Sequence, residues 1–200
     1  MNMKPLKLKP AYKDYIWGGE KLRSIYGKES DVTPLAESWE LSCHKDGLST
    51  IVGGEYDGKT LESYIKENPA CLGTLCKSEE LPILIKLIDA QDNLSVQVHP
   101  EDVLARKWEN QNGKTEMWYV VGADKGAKMT CGMKQDTTKE ELEEAIKNNT
   151  VEELLNTVPS KKGDVFFVEA GTVVMLHIVF TITEESEKTE NHVNYTSKKV

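Results

Sequence analysis

From Leu81 to Pro100 the chain reads LPILIKLIDAQDNLSVQVHP. Its first half is a near-continuous apolar run of strand length, which predicts a buried strand. Its second half alternates apolar and polar residues, the pattern of a half-buried strand, and Asp92 and Asn93 supply a turn between the two. Other segments follow the same grammar. Residues 36–44 (AESWELSCH), 115–123 (TEMWYVVGA) and 127–133 (AKMTCGM) each read as strands, the last two joined by a turn at Asp124–Gly126. Residues 161–173 (KKGDVFFVEAGTV) read as a turn, a strand and a second turn, and alternating Lys and Leu near the N-terminus predict a short edge strand.

Helical patterns lie between the strands without regular alternation. Residues 18–28 predict a short helix closed by Gly27. Residues 59–69 predict another, with Thr60 as N-cap, Tyr64 and Ile65 on the apolar side and Pro69 as terminator. Residues 100–110 predict a third. Residues 137–159 carry an apolar stripe of Leu142, Ala145 and Ile146, with a break at Asn148 and Asn149. Many short strands with helical insertions point to a mainly β chain, a β-barrel or jelly roll, and not to a doubly wound sheet. Two hundred residues suit one domain.

A net charge of -8 argues against nucleic acid or an anionic membrane as partner, but leaves room for a small anionic substrate. No apolar run reaches membrane-spanning length, and the basic N-terminus lacks the apolar stretch of a secretory signal. Cys43, Cys71, Cys76 and Cys131 show no CxxC spacing, so we expect reduced, apolar filler residues and a cytoplasmic protein.

Gln97 and His99 are two residues apart, so on a strand both side chains point the same way. Glu116 follows near the head of the next strand. An amide oxygen, an imidazole and a carboxylate can together ligate a divalent ion such as zinc. These residue types equally suit a hydrogen-bonded histidine and a solvated glutamate.

The motifs LSVQVHP, GKTEMWY and KKGDVFFVEAGTV, with YIWGG and AESWELSCH upstream, stand in the order and spacing of a known family. Over about residues 4–173 the chain resembles type I mannose-6-phosphate isomerases (phosphomannose isomerases) in their shorter bacterial form. The resemblance implies a cupin-type β-barrel, a bound zinc ion, and interconversion of mannose 6-phosphate and fructose 6-phosphate. It implies Gln97, His99 and Glu116 as zinc ligands and Lys114 as a catalytic or substrate-orienting lysine. A cupin oxygenase, by contrast, would want two histidines on the strand where QVHP offers one.

The resemblance weakens after Val173. The family places its last zinc-ligating histidine at the position of Val174, and an arginine assigned to catalysis further on. His177 lies three residues past the expected place and would face the other way without a β-bulge. Residues 174–200 are expected to be an atypical tail, polar and aperiodic from about Glu184, which leaves the barrel incomplete. Under permitted codon choices, residues 178–199 can be read out of frame as RVYDYGRIGKDGKPRELH, which resembles the family's own continuation. The gene's nucleotides decide between that origin and an inherited tail.

Overall fold

The computed structural model describes residues 4–76, 81–110 and 113–186. Its centre is a mainly β sheet of eight strands that curls into a half-barrel. Ten strands appear in chain order: β1 (Leu8–Lys9), β2 (Ala11–Lys13), β3 (Glu37–Leu41), β4 (Thr50–Ile51), β5 (Ile83–Asp89), β6 (Gln97–Val98), β7 (Thr115–Met133), β8 (Leu155–Pro159), β9 (Val165–Val168) and β10 (Val173–Ser186). Along the main path the order is β2-β3-β5-β10-β7-β8, with β6 paired to β10 and β9 paired to β7. All of these pairings are antiparallel. β1 and β4 form a separate two-stranded ribbon, so the N-terminal Lys–Leu alternation does end as edge strands.

The helices form where capping and apolar spacing predict them. In α2 (Leu61–Glu67) the Thr60 hydroxyl accepts from the Ser63 amide at 3.2 Å, and Tyr64 and Ile65 are buried. α1 (Lys21–Ser24) is shorter than residues 18–28 suggest, and Gly27 lies at φ 61 beyond it. α3 (Asp102–Glu109) occupies the expected place. α4 (Lys139–Asn148) begins with a reciprocal capping box between Thr138 and Glu141 and stops at Asn149, which adopts the left-handed conformation. After that break only one helical turn follows, α5 (Val151–Leu154). Leu155–Pro159 then forms a strand, where the spacing had suggested more helix. The pairing of β8 with residues 128–133 of β7 outweighs local helical preference there.

The turn expected at Asp124–Gly126 does not make a hairpin. The two halves of β7 never pair with each other; both pair with β10. Between His177 and Val179 the partner on β7 jumps from Lys128 to Ala123, so residues 124–127 are accommodated as a bulge. Gly126 at φ 91 supplies the backbone conformation this needs.

The boundary expected at 173/174 falls at the start of a continuous strand, since β10 runs to Ser186. The rest of the tail, His192 included, lies outside the described residues. The main core gathers Ile88, Trp118, Val120, Met129, Val174 and Leu176 from β5, β7 and β10. Cys43 is buried in a second cluster beside α2.

Candidate active site

A cavity of about 220 Å³ opens on the concave side of the sheet. Gln97, Lys114 and Glu116 all line it. β6 places Gln97, the start of β7 places Glu116, and Lys114 immediately precedes β7, so two neighbours of β10 bring the three together. His99 is 2% exposed and sits behind Glu116. Its Nε2 stands 3.3 Å from Glu116 Oε2, while Lys114 Nζ stands 2.9 Å from Glu116 Oε1. Lys114 and Glu116 do therefore share a side, as two residues separated by one on a strand should.

His99, Lys114 and Glu116 are almost dry. Burial pushes the Glu116 carboxyl upward, but Lys114, His99 and Lys86 outweigh it and hold the carboxyl well below the usual range. Oε2 of Glu116 has no well-formed hydrogen bond among the described residues. Gln97 donates its Nε2 to Ser95 Oγ at 2.9 Å, which leaves its carbonyl oxygen for another acceptor role.

The donor set fits a divalent cation. Two tetrahedral ligands each about 2.0–2.1 Å from one zinc ion lie about 3.3 Å apart. That is the separation of His99 Nε2 and Glu116 Oε2. Two buried lone-pair atoms at this distance call for a proton or a cation between them. Among the described residues no group of three or more His, Cys, Asp or Glu is placed to hold a metal, and the Gln97 amide is a further oxygen donor on the cavity lining. Val174 pairs directly with Gln97 across the ladder, is 2% exposed, and lines the same cavity. Position 174 thus presents a methyl-bearing side chain, with no metal-ligating atom, to this cavity.

His177 does not replace it. Its Nδ1 lies 3.2 Å from Asn93 Oδ1 and its Nε2 lies 3.1 Å from Thr130 Oγ1, and it is not among the residues lining the cavity. The bulge at His177/Val179 follows that residue and so does not turn it inward.

Other residues complete the cavity without having been singled out from the sequence. Glu37 accepts from Trp39 Nε1 at 2.7 Å and stands 3.6 Å from Lys86 Nζ, with both charged side chains buried. A lysine inside the apolar run LPILIKLIDA was the available signal, because a buried charge in a strand implies a partner. Tyr15 and Trp17 stack with centroids 5.3 Å apart and form one wall. They come from an irregular loop, where no periodicity announces a role.

Comparison with known proteins settles the ancestry. Residues 5–136 match the family model for phosphomannose isomerase type I, catalytic domain. The chain belongs to that family. A mannose-6-phosphate isomerase of Streptococcus mutans serotype c is 37% identical over 191 residues, which take in 94% of this chain and 60% of the relative. The crystal structure of the Bacillus subtilis mannose 6-phosphate isomerase superposes with a TM-score of 0.89 at 32% identity, over 96% of this chain and 61% of that one. A mannose 6-phosphate isomerase bound with zinc and yttrium shares the fold, with a TM-score of 0.71 at 18% identity. The chain thus spans about three-fifths of the length of these first two relatives. Matches covering 94% and 96% of its 200 residues also run past Val173, into the segment expected to lie outside the family. Its mainly β half-barrel agrees with the cupin-type fold that the resemblance implied.

Proposed function

We propose that this chain carries the metal-holding half of a zinc-dependent aldose–ketose isomerase that interconverts mannose 6-phosphate and fructose 6-phosphate through a cis-enediol. One observation carries the reading: Glu116, His99 and Lys114 converge, buried, against a cavity that Gln97 also lines. Gln97 Oε1, His99 Nε2 and Glu116 Oε2 would hold the ion, which when bound polarises the sugar's oxygens as a Lewis acid. Lys114 is the catalytic cation, holding or moving a proton at Nζ beside the reacting C1–C2 unit and steadying an enediolate. Lys86 adds positive charge to the same cavity, suited to an anionic sugar. Tyr15 and Trp17 screen the cavity from water. Four cysteines without CxxC spacing suit a cytoplasmic setting, and nothing in the charge favours nucleic acid or membrane.

Val174 favours a second reading, a non-catalytic cupin-like protein that binds a metal or sugar phosphate. A coupled assay for fructose 6-phosphate formation, with added zinc, separates the two. Turnover that Gln97→Ala or His99→Ala abolishes supports the isomerase. A folded chain that binds zinc without turnover supports the second reading. A folded chain that neither turns over nor binds zinc or mannose 6-phosphate ends both.

A further inference from the structure

Asp89 is a buried acid that none of this chemistry uses. It ends β5, is 0% exposed, and its Oδ1 has no hydrogen-bond partner among the described residues. Its Oδ2 accepts the Lys21 amide at 2.6 Å, and its carbonyl accepts the Gly19 amide at 3.0 Å. Gly19 lies so close that a Cβ there would come 2.5 Å from Oδ2, and one on Gly18 would come 2.7 Å from Ala36. Just beyond, the Trp17 carbonyl accepts the Gln91 amide at 2.9 Å and the Asp92 amide at 3.2 Å. The Tyr15–Gly19 segment is thus pinned at its base to the residues following β5, and its aromatic pair reaches over the cavity.

We propose that Asp89 is a positioning residue that sets the Tyr15–Trp17 wall of the cavity by fixing the turn at residues 18–21. A buried carboxylate that accepts backbone N–H groups is a rigid anchor, because its alternatives in a dry site are costly. Burial pushes the carboxyl upward while the Lys21 amide pulls it down, in keeping with an acid retained for its acceptor. The effect on turnover rests on the isomerase reading above; the effect on the wall does not.

The test uses the full chain with 5-fluorotryptophan incorporated, which gives separate fluorine resonances for Trp17, Trp39, Trp108 and Trp118. Loss of one signal in Trp17→Phe assigns Trp17. In Asp89→Ala the Trp17 resonance should shift or broaden while Trp39 and Trp108 stay put, and Asp89→Asn, which keeps an acceptor, should restore it. If the wild-type chain turns over mannose 6-phosphate, Asp89→Ala should also raise KM about tenfold or more with a smaller change in kcat. An unmoved Trp17 signal overturns the proposal, as does an equal shift at Trp39 and Trp108, or an Asn variant as perturbed as the Ala variant. Should Asp89→Ala not fold, Gly19→Ala replaces it, since the added methyl displaces the carboxyl: a Trp17 signal unchanged there is equally decisive against. A wild-type chain without turnover would count against the isomerase alone.

Discussion

Replacing Lys114 by Met removes the counter-charge from a carboxylate that is 3% exposed while nearly conserving side-chain volume. The pair stands at 2.9 Å, where two unit charges attract by about 6 kcal/mol at an effective dielectric near 20. Part of that is offset by the desolvation that both ions have already undergone. Truncating one partner of a buried pair typically costs about 3–5 kcal/mol, because the other is left charged and dry. For a chain of this size, that corresponds to a fall in Tm of roughly 6–20 °C. The assay is thermal and urea unfolding of the metal-free protein in chelator, for the wild type, Lys114→Met, Glu116→Gln and the double variant. Lys114→Met should be the least stable of the four, and adding Glu116→Gln to it should recover most of the loss. Added zinc should stabilise Lys114→Met more than the wild type, since a dication beside Glu116 takes over the missing charge. A loss below about 1 kcal/mol, the range of exposed pairs, would refute the claim that this pair is dry.

Two further outcomes are expected. Val174→His should tighten zinc binding by about tenfold or more in a chelator-competition titration, because position 174 faces Gln97 in the ladder and reaches the same cavity; unchanged affinity would place the ion elsewhere. Burial chiefly holds the His177 imidazole below its usual range. Below about pH 6.5 the unfolded chain therefore takes up a proton that the folded chain resists. Stability linked to this residue is complete above that pH and is lost as pH falls toward the folded value, so His177→Gln should flatten the wild-type decline between pH 7 and 5 in urea titrations.

The strand-forming segments were legible because their alternation is local, and α2 and α4 because caps announce their starts. β7 was not read as one strand, since the residues that hold 115–123 and 127–133 in line belong to β10, some fifty positions later. Nor was β8, whose strand state depends on the same distant partner. Within the site, Gln97, His99 and Glu116 were singled out by their chemistry and spacing and Lys114 by the family resemblance, and the fold brings all four together. Glu37 escaped notice because it looked like the polar half of an ordinary alternation, and Lys86, alone in an apolar run, because no partner for it is visible in the sequence. Only the pairing of β3 with β5 reveals that the two charges are buried against one another.

The position of β10 also governs the order in which the molecule can assemble. It lies between β5 and β7, and in chain order it follows every other described strand. Until it arrives, β2-β3-β5 and β7-β8-β9 are two ribbons with no ladder between them, each showing a bare edge. β6, which carries Gln97, has no partner to hang on. Such long-range closure is slow and leaves sticky intermediates in the meantime. Any nick or early stop before Val173 would therefore not trim a finished sheet. It would leave two halves with no seam, and a metal cleft that was never built.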